Sequence, residues 1–135
     1  MASNGCTLIF FRAGRGDLDT AAVALAGRKM AVRRVAGEFG EELVVGYRNG
    51  PELRVAFRQE SFVQQEAEEI GADTSYAAEM KLCEVRYEIW IDDLDQVLDE
   101  INTLIEAQVT LQTVVGGFLF NTWGGDVHGP ETCLG

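Results

Sequence analysis

Histidine, cysteine and proline are all scarce in this chain. Its 135 residues include one histidine (His128), three cysteines (Cys6, Cys83 and Cys133) and two prolines. The cysteines lie far apart and form no C-x-x-C or Cys/His pair, so neither a zinc site nor a disulfide framework is expected. An odd number of isolated cysteines is typical of a reducing compartment, which predicts a cytoplasmic protein.

Long apolar segments are also missing. The run Cys6–Phe11 is too short for a signal peptide or a membrane span, and Met1–Gly5 carries no basic leader. No segment approaches the ~18 consecutive apolar residues that a transmembrane helix requires. A membrane is therefore not an expected partner.

Basic residues are half as frequent as acidic ones. The chain has 11 Lys and Arg against 22 Asp and Glu, a formal net charge of -11. This excess repels phosphate backbones and anionic lipids, so nucleic acid is not an expected partner either. A basic protein fits the charge. The alternative is that the acidity only keeps the protein soluble.

What the sequence does contain is the pattern of a single folded domain over residues 1–135. Hydrophobic residues make up 47% of the chain, enough to form a core. A nearly continuous apolar run predicts a buried strand at Cys6–Phe11, and further strands are predicted at Met30–Val35, Leu82–Ile91 and Phe118–Trp123. Alternating apolar residues predict a hairpin over Glu42–Arg58 that turns at Asn49-Gly50-Pro51. Helical spacing and capping residues predict helices at Leu18–Ala26, Ser61–Ile70 and from Asp92 to Leu111 or beyond.

These elements predict an α+β fold. We expect a mostly antiparallel sheet of about five to six strands, two or three helices packed on one face, and an irregular tail from residue 124. The predicted core is Leu8, Phe10, Leu43, Val45, Val55, Phe57, Val85, Tyr87, Ile89, Leu94, Leu98, Ile101, Ile105, Phe118 and Phe120.

The acidic residues are concentrated in the second half of the chain. Residues 1–58 hold nine basic and six acidic side chains, whereas residues 59–135 hold two basic and sixteen acidic ones. The long helix carries Asp95, Asp99, Glu100 and Glu106 and no Lys or Arg, although mixed charges would stabilise it. These four acids are predicted to steer a basic partner. The alternative is that the acids pair with arginines of the sheet.

Two tryptophans are the predicted apolar contacts for such a partner. Trp90 lies among charged residues on the polar side of an alternating strand, and Trp123 lies in a Gly-rich segment near the end. An aromatic side chain on a charged face is typical of an interface anchor. The alternative for Trp90 is that a helix covers this face too.

No set of residues predicts catalysis, a metal or a cofactor. His128 lies in the Gly-rich tail without a predicted orienting partner, and Cys6 and Cys83 are predicted to be buried thiols. The acids at the start of the long helix fit a helix cap and lack the spacing of a calcium loop. We therefore expect no catalytic and no metal-binding residues, and no cofactor.

The last third of the chain resembles a family of small acidic bacterial proteins. The resemblance lies in Asp92-Asp93-Leu94-Asp95, the acidic amphipathic helix, Gly116-Gly117 and the stretch Phe-Asn-Thr-Trp-Gly-Gly that ends at Gly125. These features are similar to those of immunity proteins, which neutralise toxins by binding them. The resemblance implies a cytosolic inhibitor without catalytic activity and with a protein partner. The excess of acidic residues predicts that this partner is a basic toxin.

Three functions stay open at this point. The first is a protein-binding module of the immunity or antitoxin type. The second is a small enzyme or ligand-binding domain with a pocket between sheet and helices. The third is a homo-oligomer, such as a homodimer, that pairs through the Glu42–Arg58 hairpin.

Overall fold

The computed structural model describes residues 5–37, 40–47, 50–91, 96–97 and 101–130. Its strands are β1 (Gly5–Phe11), β2 (Ala31–Gly37), β3 (Gly40–Gly46), β4 (Leu53–Arg58), β5 (Val85–Ile91), β6 (Phe118–Asn121) and β7 (Val127–His128). Its helices are α1 (Leu18–Ala26), α2 (Phe62–Gly71), α3 (Ala77–Met80) and α4 (Ile101–Val115). The α+β class is confirmed.

All seven strands belong to one antiparallel sheet. Their order is β2-β3-β4-β5-β1-β6-β7, so β1 lies between β5 and β6 near the centre. The predicted hairpin forms β3 and β4, but both strands lie inside the sheet. The hairpin therefore offers no free edge for pairing with a second copy, and β2 and β7 form the edges instead. The segment from residue 124 includes β7, which pairs with β6.

The helices cover both faces of the sheet, and the prediction of one covered face is wrong. Side chains alternate across a strand, so each strand supplies two faces. On the first face, Ile9, Tyr87 and Ile89 pack with α1 and α4. On the second face, Leu8 and Phe10 pack with residues of α2 and α3. This second layer covers the part of the sheet around β5, β1 and β6.

The boundaries of α1 follow from its capping residues, as predicted. The backbone N–H of Thr20 donates to Asp17 Oδ1 at 2.9 Å, and the N–H of Asp17 donates back to Thr20 Oγ1 at 3.2 Å. This capping box satisfies two N–H groups that the first turn leaves without a partner. Gly27 caps the C-terminal end.

Most of the predicted core is confirmed. Leu8, Phe10, Leu43, Val45, Val55, Val85, Tyr87, Ile89 and Phe118 are buried, and Phe57 and Phe120 are partly buried. Leu94 and Leu98 lie outside the described residues.

The predicted buried face of α4 is wrong. Ile101 and Ile105 are 41% and 45% exposed, whereas Leu104, Ala107 and Leu111 are buried. Apolar residues form two overlapping stripes along this helix, and only one stripe can pack against the sheet. One stripe contains Ile101 and Ile105, and the other contains Leu104, Ala107 and Leu111. A polar network fixes the choice: the side-chain amide of Gln108 donates to Thr7 Oγ1 at 3.0 Å and to Asn121 Oδ1 at 2.9 Å, and the Thr7 hydroxyl donates to Asn121 Oδ1 at 2.6 Å.

Candidate functional site

The register of β4 and β5 assembles a charged row on the face of the sheet next to α2. Arg54 lies opposite Trp90, Ala56 opposite Glu88, and Arg58 opposite Arg86. All six side chains share one face because residues two apart on a strand point the same way. In β3, Leu43 pairs with Val55, which places Glu42 beside Ala56 on this face. The small Ala56 side chain thus lies between two glutamates.

Glu88 is the centre of a buried ion network. Only 1% of its side chain is exposed, and Arg86 binds its Oε2 through Nε at 2.8 Å and through a terminal nitrogen at 2.6 Å. Arg58 approaches Oε1 at 3.6 Å, and the indole N–H of Trp90 donates to Oε1 at 3.0 Å. A carboxylate so buried requires paired charges and hydrogen bonds of this kind.

The same arginines attach α2 to the sheet. The guanidinium groups of Arg58 and Arg86 lie 5.2 Å and 5.0 Å from the centre of the Phe62 ring. Glu66 of α2 binds Arg86 at 3.1 Å, and Glu60, just before α2, binds Arg58 at 3.0 Å. The network therefore links strands β4 and β5 to the N-terminal turn of α2.

A cavity of about 200 Å³ opens above Ala56. It is lined by Glu41, Glu42, Arg54, Ala56, Phe57, Arg58, Glu88 and Trp90. It lies on the part of the sheet beside α2, and not between sheet and helices as predicted for a ligand-binding domain. Trp90, 40% exposed, is the large apolar side chain at its edge.

Glu42 lines this cavity and forms a long ion pair with Arg54. The residue is 8% exposed. The nearest guanidinium nitrogen, on Arg54, is 3.9 Å from its Oε1, which is beyond hydrogen-bond distance. Within the described ranges, no donor hydrogen-bonds to this carboxylate. Glu41 differs, since it binds Arg34 at the surface.

The predicted site residues do not form one cluster. Trp90 lies on the α2 face of the sheet, whereas Glu106 lies on α4 against the opposite face and contacts Arg28 at 3.6 Å. Trp123, 37% exposed, follows β6. Asp95, Asp99 and Glu100 lie outside the described residues. The sequence pattern identified Trp90 but missed Glu42, Arg58 and Glu88, although the opposite charges at alternate positions of β5 were a usable signal.

The acids between Glu60 and Glu84 are of two kinds. Glu60 and Glu66 pair with arginines of the sheet, as one interpretation of the sequence expected. A further set is exposed and forms no ion pair with any residue that the structure describes. This set, here called the acidic α2–α3 surface, consists of Glu68, Glu69, Asp73, Glu79 and Glu84.

Sheet arginines do not compensate this surface, because they have partners nearby. Arg33 contacts Glu52 at 3.5 Å, and Arg34 contacts Asp19 and Glu41. Lys81 is the one basic residue between Phe62 and Glu84. Arg12 and Arg15 line a pocket together with Glu79, so the excess of negative charge is greatest at Glu68, Glu69 and Asp73.

The two described cysteines are buried thiols, as predicted. Burial raises the pKa of Cys6 to about 12 and that of Cys83 to about 11. Each thiol contacts a backbone carbonyl, of Thr7 and Glu79 respectively. Neither has the thiolate character that a nucleophile needs. His128 is exposed on β7.

The described residues include no group of three or more His, Cys, Asp or Glu arranged to hold a metal ion. Among the helices in the described ranges, none combines the length and the apolar character needed to cross a bilayer. No family model, curated protein or solved structure matches the chain.

Proposed function

We propose that this protein is an acidic protein-binding module without catalytic activity, of the immunity or antitoxin type, that neutralises a basic toxin. The observation that carries the proposal is the acidic α2–α3 surface, whose five exposed carboxylates form no ion pair within the described residues. Like charges on one surface destabilise a helix slightly. A basic partner would turn this cost into a favourable interaction.

The surface beside these acids adds apolar contact. Trp90 is exposed on the same face of the sheet as α2, and its indole N–H is held by Glu88. A fixed aromatic side chain loses little entropy on binding and is typical of interface hot spots. The resemblance of the last third of the chain to immunity proteins is the reason for proposing this type of binding module.

Association kinetics with a basic protein test the proposal. The partner to use is the purified product of the neighbouring gene, if its sequence is basic, and the rate of association is measured by stopped flow at low and moderate salt. Electrostatic steering predicts a rate that falls steeply as salt increases, since exposed charges are screened over about 10 Å at 0.1 M.

A charge-neutral variant locates the steering surface. The quadruple variant Glu68→Gln, Glu69→Gln, Asp73→Asn and Glu79→Gln should keep its thermal midpoint and associate at least roughly tenfold more slowly at low salt. Glu52→Gln with Asp126→Asn is the control elsewhere on the surface. A rate that is indifferent to salt, or a quadruple variant that associates at the wild-type rate, would refute the proposal.

A further inference from the structure

We propose that a further cavity, at the end of the sheet where β1 ends, binds the carboxylate of a small aliphatic acid between Arg12 and Arg15. This arginine-lined cavity has a volume of about 210 Å³. Its walls are formed by Phe11, Arg12, Arg15, Glu79, Leu82, Cys83, Gly116, Phe118 and Pro130. Such a site is independent of the proposed function, which rests on carboxylates and not on arginines.

The strand register brings these walls together. Phe11, the last residue of β1, lies opposite Val85, the first residue of β5. Phe10 lies opposite Phe118, the first residue of β6. Because neighbouring strands are antiparallel, the segment after β1 and the segments before β5 and β6 meet at one end of the sheet. The arginine-lined cavity lies where they meet.

Two glycines allow the segment that carries the arginines to lie against the end of α4. A Cβ atom on Gly16 would come 2.8 Å from a methyl group of Val115 and 3.0 Å from the Tyr87 hydroxyl. Gly116 has a φ of +63°, and a Cβ atom there would come 3.1 Å from a guanidinium nitrogen of Arg15. The Arg15 guanidinium therefore lies directly against the backbone that forms the cavity wall.

Arg12 and Arg15 have no carboxylate partner among the residues that the structure describes. Every other arginine in the described ranges contacts a carboxylate, namely Arg28, Arg33, Arg34, Arg54, Arg58 and Arg86. The chain has twice as many acidic as basic residues, so two unpaired arginines in one cavity are unexpected. Of the described lining residues only Glu79 carries a carboxylate, and it lies beyond ion-pair distance of both guanidinium groups. Two positive charges against one negative charge favour an anion.

The remaining walls favour an anion with a hydrocarbon body. Phe11 and Phe118 are buried, and Leu82 is 48% exposed beside them. A phosphate would lose water on several charged oxygens against such walls, whereas a carboxylate has its charge at one end. Guanidinium groups bind a carboxylate through two parallel hydrogen bonds. The volume lies below the roughly 300–1,000 Å³ of sites for drug-sized ligands, so the acid is small.

Isovalerate, a small branched acid, is the probe for this cavity. In a titration of the full chain, the backbone amide signals of Leu82, Cys83 and Gly116 should shift in NMR spectra with a millimolar dissociation constant. Isovaleramide has the same shape without the charge and should bind at least roughly tenfold more weakly. Acetate and inorganic phosphate lack the hydrocarbon body and should each bind at least roughly fivefold more weakly. Absence of a shift with isovalerate, or tighter binding of phosphate, would overturn the inference.

Charge variants test the position of the carboxylate. Arg12→Gln and Arg15→Gln should each weaken isovalerate binding at least roughly tenfold. Arg33→Gln removes the same charge from an exposed arginine that contacts Glu52, and should leave binding unchanged. Glu79→Gln removes a repelling charge and should strengthen binding. Unchanged amide signals far from the cavity show that each variant is folded. Wild-type affinity in either Arg12→Gln or Arg15→Gln would overturn the inference.

Two further variants test the wall and a competing carboxylate. Leu82→Ala should weaken isovalerate binding roughly threefold and leave acetate binding unchanged, and equal losses for both acids would contradict the hydrocarbon contact. Glu131 follows Pro130 in the sequence and lies outside the described residues. Glu131→Gln should leave isovalerate binding unchanged. Binding at least roughly tenfold tighter in this variant would show that the arginines serve a carboxylate of the chain itself, and the inference would fail.

Discussion

Arg86 and Glu88, two residues apart on β5, form a buried ion pair on one face of the sheet. Two nitrogens of Arg86 contact the same carboxylate oxygen, at 2.8 Å and 2.6 Å, and both side chains are almost completely inaccessible to solvent. Since α2 and its Phe62 ring cover Arg86, the charges satisfy each other instead of binding water. The pair is therefore a structural element of the face that carries the cavity.

Removing the charge of Glu88 should destabilise the fold strongly. Glu88→Gln leaves the buried Arg86 with only Glu66, at 3.1 Å, as its counter-charge, and we expect a loss of about 3 kcal/mol in the free energy of unfolding. Urea denaturation measures this loss. Glu52→Gln, which disrupts an exposed pair with Arg33, is the matched control and should cost below about 1 kcal/mol. Equal, small losses in both variants would contradict the network described above.

The two apolar stripes of α4 should contribute differently to the free energy of unfolding. Leu104 is buried in the core, so Leu104→Ala should cost about 2–5 kcal/mol. Ile101, spaced for the other stripe, is 41% exposed, and Ile101→Ala should cost below about 1 kcal/mol. Thermal or urea unfolding of the two variants decides between the stripes. A larger loss for Ile101→Ala would mean that the stripe predicted from the sequence is the buried one after all.

Local signals in the sequence were enough for most of the secondary structure. The Asp17 cap and Gly27 define α1 because capping depends on residues close in the chain. The alternation in β5 identified Tyr87 and Ile89 as core residues for the same reason. Contacts that depend on the strand order could not be obtained in this way.

The candidate site depends on contacts that local signals in the sequence could not predict. The burial of Arg86 and Glu88 follows from the position of α2 on the second face, and the cavity above Ala56 follows from the neighbours that β3 and β5 supply. The choice of stripe on α4 depends on Gln108 meeting Thr7, a contact between residues 101 positions apart. Periodicity within one helix carries no information about such a contact.

The buried thiols should make stability fall at alkaline pH. Burial raises the pKa of Cys83 to about 11 and of Cys6 to about 12, above the ordinary value of 9.0. Unfolded thiols therefore lose protons that folded ones retain, so their contribution is complete below about pH 9 and declines as the pH rises towards 11 and 12.

Urea unfolding at about pH 8 and about pH 10.5 measures this effect. We expect a loss of about 1–2 kcal/mol per thiol, and the double variant Cys6→Ala, Cys83→Ala should lose correspondingly less over the same interval. Tyr87, whose pKa burial also raises, remains in both proteins and cancels in the comparison. Equal pH dependence in the two proteins would show that the thiols ionise normally in the folded state.

The acids of α2 should separate into structural and non-structural groups. Glu66 binds Arg86 at 3.1 Å on the sheet, so Glu66→Gln should cost about 1 kcal/mol in the free energy of unfolding. Glu68 is exposed, forms no ion pair with the described residues and lies next to Glu69, so Glu68→Gln should leave stability unchanged or raise it by a few tenths of a kcal/mol, about 0.2–0.5. The two substitutions remove the same charge from the same helix and differ only in what the carboxylate touches.

If both variants lose stability equally, the exposed acids support the fold and their proposed role in steering a partner loses its basis. If only Glu66→Gln is destabilised, the acidic α2–α3 surface contributes nothing to folding, and the association kinetics of the charge-neutral variant then decide between solubility and the proposed steering of a basic partner.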